Sequence, residues 1–418
     1  MKRAILGITL TALTASAVNA EILKNFKAGG SLEAAGMVVN NSNDFNRRAA
    51  DKFGDVQNRV MINAGFDLNE DVAANLSFNK CNRKFAQASE APVATAADSF
   101  LIDQAYVTLR NLFTLDHRIG RQYYGSDGDI VIYYGPANWY TRGLNANNVA
   151  LDGWTSQWAK DKLAVSGVVA KVAETNTITN TDTDVYGVTG SYDYSKIIKP
   201  AAYVYQKKTM TALGSPKDLI VLGLKGKGEY MGVRYGGEFA KNLGRDHVAA
   251  QKYTGYAFKL NAAYDYSFMG RWTFSGEFAR GSGDKGSAGK NEGFMDISAN
   301  YRPGLIIGGV GMRDTVNAVN NSANTSLNNL TTWNLGADWA PEKVKKLGLA
   351  ARFYSFTFTR KFGGAKHAGN EADLVATWTH TRNVALKLGL AKFIPDTYKI
   401  GGKDDSVNLG SLYMNIGF

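Results

Sequence analysis

The stretch Tyr256-Ala257-Phe258-Lys259-Leu260-Asn261-Ala262-Ala263-Tyr264-Asp265-Tyr266 decides the fold, because its residues alternate strictly in character. The even-numbered positions are aromatic or aliphatic and carry no charge. The odd-numbered positions include Lys259, Asn261 and Asp265. Since successive side chains of a β-strand point to opposite faces of the sheet, this alternation predicts a strand with one apolar and one polar face.

The same two-residue period recurs along the chain. Apolar and polar positions alternate in residues 60–66, 231–239, 272–278, 333–339 and 384–390. A soluble β-sandwich also alternates, but it does not normally sustain the pattern through so many strands with aromatic residues at the strand ends, where membrane interfaces favour them. A charge near the bilayer midplane costs roughly 2–4 kcal/mol. We therefore assign the uncharged face to lipid and the charged face to a watery lumen.

The connections between these segments alternate in length. Short turns are expected at 67–71, 160–161, 195–200, 269–270, 302–304, 341–346 and 382–383. Longer polar stretches lie between them at 40–55, 81–98, 174–184, 241–251, 281–291, 314–329 and 361–370. Short turns at one end and long loops at the other are typical of outer-membrane barrels. No domain linker or internal repeat interrupts the series, so residues 21–418 are predicted to form one barrel with both termini on the periplasmic side.

The two ends of the chain indicate export. Met1-Lys2-Arg3, an apolar run and Val18-Asn19-Ala20 have the layout of a secretory signal peptide, so we expect residues 1–20 to be removed. The final residues 411–418 alternate in character and end on Phe418. This ending resembles the signal that the barrel assembly machinery reads on bacterial outer-membrane proteins. The resemblance implies that machinery as a partner, and the outer membrane of a Gram-negative-type bacterium as the location.

The composition favours the same class of protein. Lys and Arg total 48 against 37 Asp and Glu, but the basic residues are spread singly along strands, which suggests a solvated surface attractive to anions and argues against nucleic acid as a partner. After residue 20 no run of about 18 apolar residues occurs, so no transmembrane helix is expected. Mean hydropathy is −0.24, as expected of a barrel in which only every second strand residue meets lipid.

No motif indicates an enzyme or a cofactor. Cys81 is the only cysteine, which rules out an intramolecular disulfide, and the four histidines lack neighbours at metal-ligand spacing. The glycine-rich stretch 281–291 lacks the spacing and the Ser or Thr of a nucleotide phosphate loop, so we interpret it as a surface loop. We therefore predict no catalytic residues, no metal and no cofactor.

The most distinctive segment begins with Arg118-Ile119-Gly120-Arg121-Gln122 and continues with Gly125, Asp127, Trp139, Arg142 and Leu151-Asp152-Gly153-Trp154. It resembles the hallmark stretch of the alginate-export family of outer-membrane β-barrel porins. In that family a Gly-Arg-Gln strand is followed by a Gly-Asp loop, a Trp and an Arg, and then an Asp-Gly strand. Ser126 and the run Ala146-Asn147-Asn148 depart from the pattern. The resemblance implies an all-β fold, a single transmembrane antiparallel barrel of about 18 strands (16–20), a size that leaves an aqueous lumen.

The charged residues of this segment are the candidate site. Guanidinium groups match carboxylates geometrically, so we predict Arg118, Arg121 and Arg142 in the channel wall, with Asp152 holding one of them by a salt bridge. Inward-facing basic residues on other strands add to their field, namely Arg59, Arg234, Lys259, Arg352 and Lys387. An equally weighted interpretation is that these charges pair across the barrel wall and stiffen it.

The sequence thus suggests a channel for passive passage of hydrophilic, anionic solutes such as uronate or other acidic oligo- and polysaccharides, with outer-membrane lipids and lipopolysaccharide as partners. One alternative is a general diffusion porin without marked preference. Others are an outer-membrane barrel enzyme and an adhesin. Oligomeric state, from monomer to trimer, and transport direction stay open at this point.

Overall fold

The structure, a computed structural model, describes residues 24–41, 45–48, 52–82, 101–136, 150–174, 181–211, 214–299, 301–308, 326–399 and 402–418. The expected signal peptide, residues 1–20, and the candidate channel residue Arg142 lie outside these ranges. The described residues contain no helix that is long and apolar enough to cross a membrane.

The described chain forms 22 strands. In chain order they are β1 (Lys24–Asn40), β2 (Phe53–Asp67), β3 (Val72–Asn82), β4 (Leu101–Leu112), β5 (Leu115–Gln122), β6 (Tyr124–Gly125), β7 (Tyr133–Tyr134), β8 (Leu151–Lys160), β9 (Leu163–Ala173), β10 (Thr183–Tyr192), β11 (Lys199–Met210), β12 (Pro216–Tyr230), β13 (Val233–Asp246), β14 (Gln251–Tyr253), β15 (Tyr256–Ser267), β16 (Gly270–Gly281), β17 (Lys290–Asn291), β18 (Leu330–Pro341), β19 (Leu347–Phe362), β20 (Ala365–Thr381), β21 (Val384–Pro395) and β22 (Val407–Gly417).

Eighteen of these strands close into one antiparallel barrel, which confirms the predicted fold. Each long strand pairs with its neighbour along the chain, and β1 pairs with both β2 and β22. The seam between β1 and β22 runs from Ser31 opposite Gly417 to Asn40 opposite Asn408. Closure leaves the wall without an unpaired edge, which a sheet surrounded by lipid requires. The four short strands β6, β7, β14 and β17 lie in the long connections.

The long connections all lie at one end of the barrel, the long-loop end, whereas at the other, the short-turn end, every connection is short. The first described residue, Lys24, and the last, Phe418, both lie at the short-turn end. There Gly30 N–H donates to Phe418 O over 2.9 Å, and Phe418 N–H donates to Gly30 O over 3.0 Å. A Cβ at Gly30 would lie 2.2 Å from Met61 O, so this close approach requires glycine.

Two expected connections are corrected by the structure. Residues 302–304 do not form a turn between strands of the wall, because they belong to the single long connection between β16 and β18. Residues 361–370 do not form a long loop, because β19 and β20 extend through them to a turn at Gly363 and Gly364. Both glycines have positive φ angles, which a tight turn of this kind favours.

The outer face of the wall is apolar and bears an aromatic group near each end. In β15, Leu260 is 55% exposed and faces outward with Tyr264 and Tyr266. Trp272 stacks on Trp339 at the short-turn end, with ring centroids 5.3 Å apart. Phe258–Phe278 and Trp333–Phe353 contacts lie toward the long-loop end, at 5.7 and 5.6 Å. Phe278 lies six positions after Trp272 in β16, roughly 20 Å along the strand, which is comparable to the apolar band of outer-membrane barrels.

The assignment of faces can be tested by two adjacent substitutions. Leu260→Arg places a charge on the lipid face and should destabilise the folded barrel by roughly 2–4 kcal/mol, whereas Asn261→Arg points into the lumen and should cost less than about 1 kcal/mol. Urea unfolding of the two variants in lipid vesicles measures the difference. Equal unfolding free energies for the two variants would contradict this assignment of the faces.

Candidate functional site

Two segments of the long connections fold into the barrel. We call residues 123–136 the first inner segment and residues 294–299 with 301–308 the second inner segment. Ile130, Val131 and Ile132 of the first are completely shielded from solvent. The two segments meet where the N–H groups of Ile297 and Ser298 donate to Val131 O, at 3.0 and 3.1 Å. Together they narrow the lumen, which is therefore shaped by loops as well as by the wall.

A buried carboxylate fastens the first inner segment to the wall. Glu238 of β13 accepts the Ile130 N–H at 3.2 Å and the Tyr203 hydroxyl at 2.8 Å. Lys225 of β12 lies 3.5 Å from Glu238 and forms a 2.6 Å ion pair with Asp129. A buried charge is tolerated when it is paired and fully hydrogen-bonded, and Glu238 meets both conditions.

A second carboxylate holds the second inner segment. The side chain of Glu371 in β20 is fully buried, and its two oxygens accept the N–H groups of Ile306 and Ile307 at 2.7 and 2.9 Å. Two residues along the same face, Asp373 accepts the N–H of Leu305 at 3.0 Å. Consecutive N–H groups converge on an anion in this arrangement, as in backbone anion nests. Gly304 precedes them with φ +84°, and a Cβ there would lie 2.6 Å from the Glu371 carboxylate.

Further contacts fix the rest of the second segment. The Asn242 side chain donates to Met295 O and accepts the Met295 N–H, both at 2.7 Å. The Tyr301 hydroxyl donates to Glu277 at 2.8 Å. Burial, reinforced by the nearby Glu277 charge, raises the pKa of Tyr301 well above its usual value, so the phenol stays protonated and remains a donor. Burial also raises the pKa of Asp296.

A chamber of about 650 Å³ lies between the inner segments and the wall. It reaches toward the short-turn end, where Arg234 directly follows the turn between β12 and β13. Its acidic lining residues are Asp127 and Glu277. Its basic lining residues are more numerous, namely Lys227, Arg234, Lys259, Arg302 and Arg352. Basic groups therefore predominate in the lining of this part of the lumen.

Three of the expected site residues meet in this chamber. Arg234 forms a 2.9 Å ion pair with Asp265, and Arg352 forms one of the same length with Asp338. Lys259 donates to Gly128 O of the first inner segment, and its ammonium lies 5.7 Å from the Tyr301 ring centroid. The structure thus brings together residues that are more than 100 positions apart in the chain.

Arg59 and Lys387 lie elsewhere on the inner face, near the seam. Arg59 is buried and bonds Glu33 at 2.5 Å, while the Tyr413 hydroxyl donates to the other oxygen of Glu33 at 2.6 Å. The Lys387 ammonium lies 5.9 Å from the Tyr413 ring centroid. Arg59 therefore links β1 to β2 through an ion pair, in agreement with the alternative that the charged residues pair across the barrel wall and stiffen it. Neither Arg59 nor Lys387 lines the chamber.

The structure corrects two residues of the candidate site. Gln122 and Thr155 bond each other at 2.7 Å on the inner face. Because side chains alternate along each strand, Arg121 and Asp152 lie on the opposite, outer face. They form a 2.8 Å ion pair beside Trp154, which is 46% exposed. The predicted salt bridge between Asp152 and one of the arginines is therefore present, but it lies on the outer face, and the expectation that Arg121 and Asp152 line the channel is wrong.

Arg118 differs from Arg121, since it pairs with Thr155 in the register and lies on the inner face, 5.5 Å from the Tyr106 ring centroid. The sequence interpretation also missed Lys227, Glu238 and Glu371. Leu222 and Leu224 of β12 face outward, and Lys227 lies an odd number of positions from them, so the two-residue period places Lys227 on the inner face. The same period places Glu371 of β20 on the inner face, three positions from the outward-facing Leu374. Arg302 gives no such signal, because it lies in a loop.

The family model described as alginate export matches residues 36–410, nearly the whole barrel. The chain belongs to the alginate export family. No curated protein sequence matches it significantly. The fold and the family together identify this member as an outer-membrane β-barrel channel.

Solved structures from Pseudomonas aeruginosa share the fold. OpdQ is 11% identical with a TM-score of 0.62, over 96% of this chain and 99% of OpdQ. OccK11 (OpdR) is 13% identical with a TM-score of 0.61, over 94% and 96% of the two chains. OpdK, in a crystal structure with vanillate, is 11% identical with a TM-score of 0.58, over 94% and 98%. At these identities the similarity shows the fold alone.

The anchoring of the second inner segment can be tested through Glu371. Glu371→Gln removes one of two acceptor oxygens, so one backbone N–H loses its partner, at a cost of about 1–3 kcal/mol. We expect amide hydrogen exchange at 305–307 to accelerate roughly 5- to 100-fold, measured by mass spectrometry. The control is Glu342→Gln in the exposed turn between β18 and β19, which should leave exchange at 305–307 unchanged. Unaltered exchange in the Glu371 variant would mean that other contacts hold the segment.

Proposed function

We propose that this channel passes hydrophilic anionic solutes by passive diffusion, with uronate and other acidic oligo- or polysaccharides as the preferred class. The observation that carries the proposal is the chamber lining, in which five basic residues face two acidic ones. Charges of one sign in a cleft with low-dielectric walls focus the field and concentrate counter-ions. A carboxylated sugar entering the lumen would meet such a field at its narrow part.

Two lysines supply charge that no carboxylate neutralises. Among the described residues, Lys227 and Lys259 take part in no ion pair. The paired arginines contribute hydrogen-bond donors. A guanidinium has five N–H donors, and the contact of Arg352 with Asp338 uses one of them. The remaining donors are suited to a solute carboxylate, which arginine matches in bidentate geometry.

The polar surroundings of these cations fit a saccharide. Asn261, Ser275 and Asn334 line the same chamber and offer amide and hydroxyl groups. Tyr301 and Tyr354 add aromatic surface beside them. A sugar acid presents hydroxyls, one apolar ring face and a carboxylate, and this lining offers a partner for each of them.

A general diffusion porin is the second candidate, and the ion pairs of the wall favour it. Arg234–Asp265 and Arg352–Asp338 are pairs of opposite charge, so they reduce the net field of the chamber. The two candidates differ in one measurable property, the ratio of anion to cation permeability.

The decisive variant is Lys227→Gln combined with Lys259→Gln. We expect the ratio of anion to cation permeability to fall roughly threefold or more, because the two unpaired charges of the chamber are lost. The measurement is the reversal potential across a KCl gradient in planar bilayers. The matched control, Lys343→Gln with Lys345→Gln, removes the same charge from an exposed turn and should leave the ratio unchanged.

Lys227→Gln alone separates the effect of lost charge from that of a changed lumen shape. Lys259 holds the first inner segment through its hydrogen bond to Gly128 O, whereas no such bond from Lys227 is present among the described residues. An unchanged reversal potential in both the single and the double variant, with normal conductance, would favour the general diffusion porin. Block of the wild-type current by uronate oligomers, and not by neutral oligomers of equal length, would identify the solute class.

Ionic strength gives an independent prediction. The Debye length shortens from about 10 Å at 0.1 M salt to about 3 Å at 1 M, so the anion preference of the wild type should decline steeply over this range. Reversal potentials at a fixed tenfold gradient and increasing mean concentration measure the decline. A preference independent of salt would point to contact binding at a single site in place of a field.

A further inference from the structure

A second basic cavity lies outside the lumen. It has a volume of about 450 Å³ and is enclosed by the outer wall and by the start of the connection that follows β16. We call it the rim pocket. Its lining residues are Lys241, Thr254, Tyr256, Arg280, Ser282, Gly283, Lys285, Lys290, Glu292, Thr359 and Arg360.

The register of the wall shows that the pocket opens outward. Lys241 lies between Ala240 and Asn242, which are both fully buried on the inner face, so its side chain emerges on the outer face. Lys241 pairs with Tyr256 in the register. Arg280 lies opposite Phe258, two residues from Tyr256 and on the same face. The pocket therefore faces the surroundings of the barrel and has no part in the channel.

The pocket lies directly above the aromatic group at the long-loop end. Tyr256 is two residues beyond Phe258, and Arg280 is two residues beyond Phe278. Two residues of strand span roughly 7 Å, about the step from the edge of the hydrocarbon to the headgroup layer. Aromatic girdles mark that edge in outer-membrane barrels. The basic side chains are thus at headgroup depth.

Four of the five basic side chains that line the pocket have no carboxylate partner within the described part of the chain. Lys285 is paired with Glu292 at 3.3 Å. Within the described part of the chain, Lys241, Arg280, Lys290 and Arg360 form no ion pair. The Nε atom of Arg280 is shielded from solvent and makes no hydrogen bond in the described structure. Since a buried donor without a partner is unfavourable, this Nε atom is available to an acceptor bound in the pocket, and the neighbouring unpaired cations favour an anionic one.

We propose that the rim pocket binds the phosphate group of an outer-leaflet lipid, a phosphorylated glycolipid whose acyl chains pack on the aromatic residues below. Arginine and lysine are the residues that hold phosphate oxygens, and a single phosphate can accept several of these donors at once. The lipid source is favoured over a soluble anion because the wall below the pocket presents Phe258, Phe278 and Trp333 to the bilayer. This inference is independent of the solute that the channel carries.

The test compares lipid binding by the folded barrel and two variants. One variant combines Lys241→Gln with Arg280→Gln in the wall, and the other combines Lys290→Gln with Arg360→Gln at exposed positions of the pocket. Barrels in detergent are titrated with a bis-phosphorylated glycolipid and with its dephosphorylated form, and bound lipid is counted by native mass spectrometry. The Lys343→Gln and Lys345→Gln protein serves as a charge-matched control.

We expect the wild type and the control to retain the phosphorylated lipid and each variant to bind it at least tenfold more weakly. The dephosphorylated lipid should not distinguish the proteins. Millimolar inorganic phosphate should displace little of the lipid, because it lacks the acyl contacts. Equal binding by the wild type and the exposed-position variant, which leaves the wall intact, would overturn the proposal. Complete displacement by inorganic phosphate would assign the pocket to soluble anions and overturn the lipid source.

Discussion

The hydrogen bonding of the backbone is the constraint on which this structure depends. A chain that passes through hydrocarbon must satisfy each N–H and C=O group internally, and a sheet does so only when its first and last strands meet. The ladder between β1 and β22 accomplishes this closure. Once the wall is closed, the alternation of side chains divides each strand between lipid and lumen. The narrowing of the lumen, its charge and the rim pocket are all consequences of that division.

Acidic and basic residues of the inner face have different partners. The carboxylates are occupied by structural donors: Glu33 by Arg59 and Tyr413, Glu238 by Tyr203 and the first inner segment, and Glu371 by the second inner segment. Lysines such as Lys227 have no such partner among the described residues. These three glutamates therefore maintain the shape of the lumen, whereas Lys227 adds charge to the chamber lining. A neutral substitution at one of these glutamates is expected to alter the architecture, whereas the proposed anion preference depends on lysines such as Lys227.

The sequence predicted the wall well and the interior poorly. Alternation in residues 256–266 correctly separated Leu260 from Lys259, because period and burial arise from the same strand geometry. The family motif misled at Arg121, although the two-residue period itself forbids Arg118 and Arg121 from sharing a face, since they are three positions apart. The inner segments have no period, and their positions depend on contacts such as Ile306 with Glu371, which join residues far apart in the chain. Such contacts leave no local pattern.

The seam has a consequence for the order of assembly. Strands joined at the short-turn end close loops of a few residues, but Ser31 meets Gly417 only after nearly the entire chain has been arranged. The entropy of that closure exceeds that of a hairpin by roughly 4 kcal/mol, since it grows with the logarithm of loop length. Hairpins should therefore form first and the seam last. Until then both terminal strands expose unpaired backbone, so this stage is the one most vulnerable to aggregation and most in need of assistance.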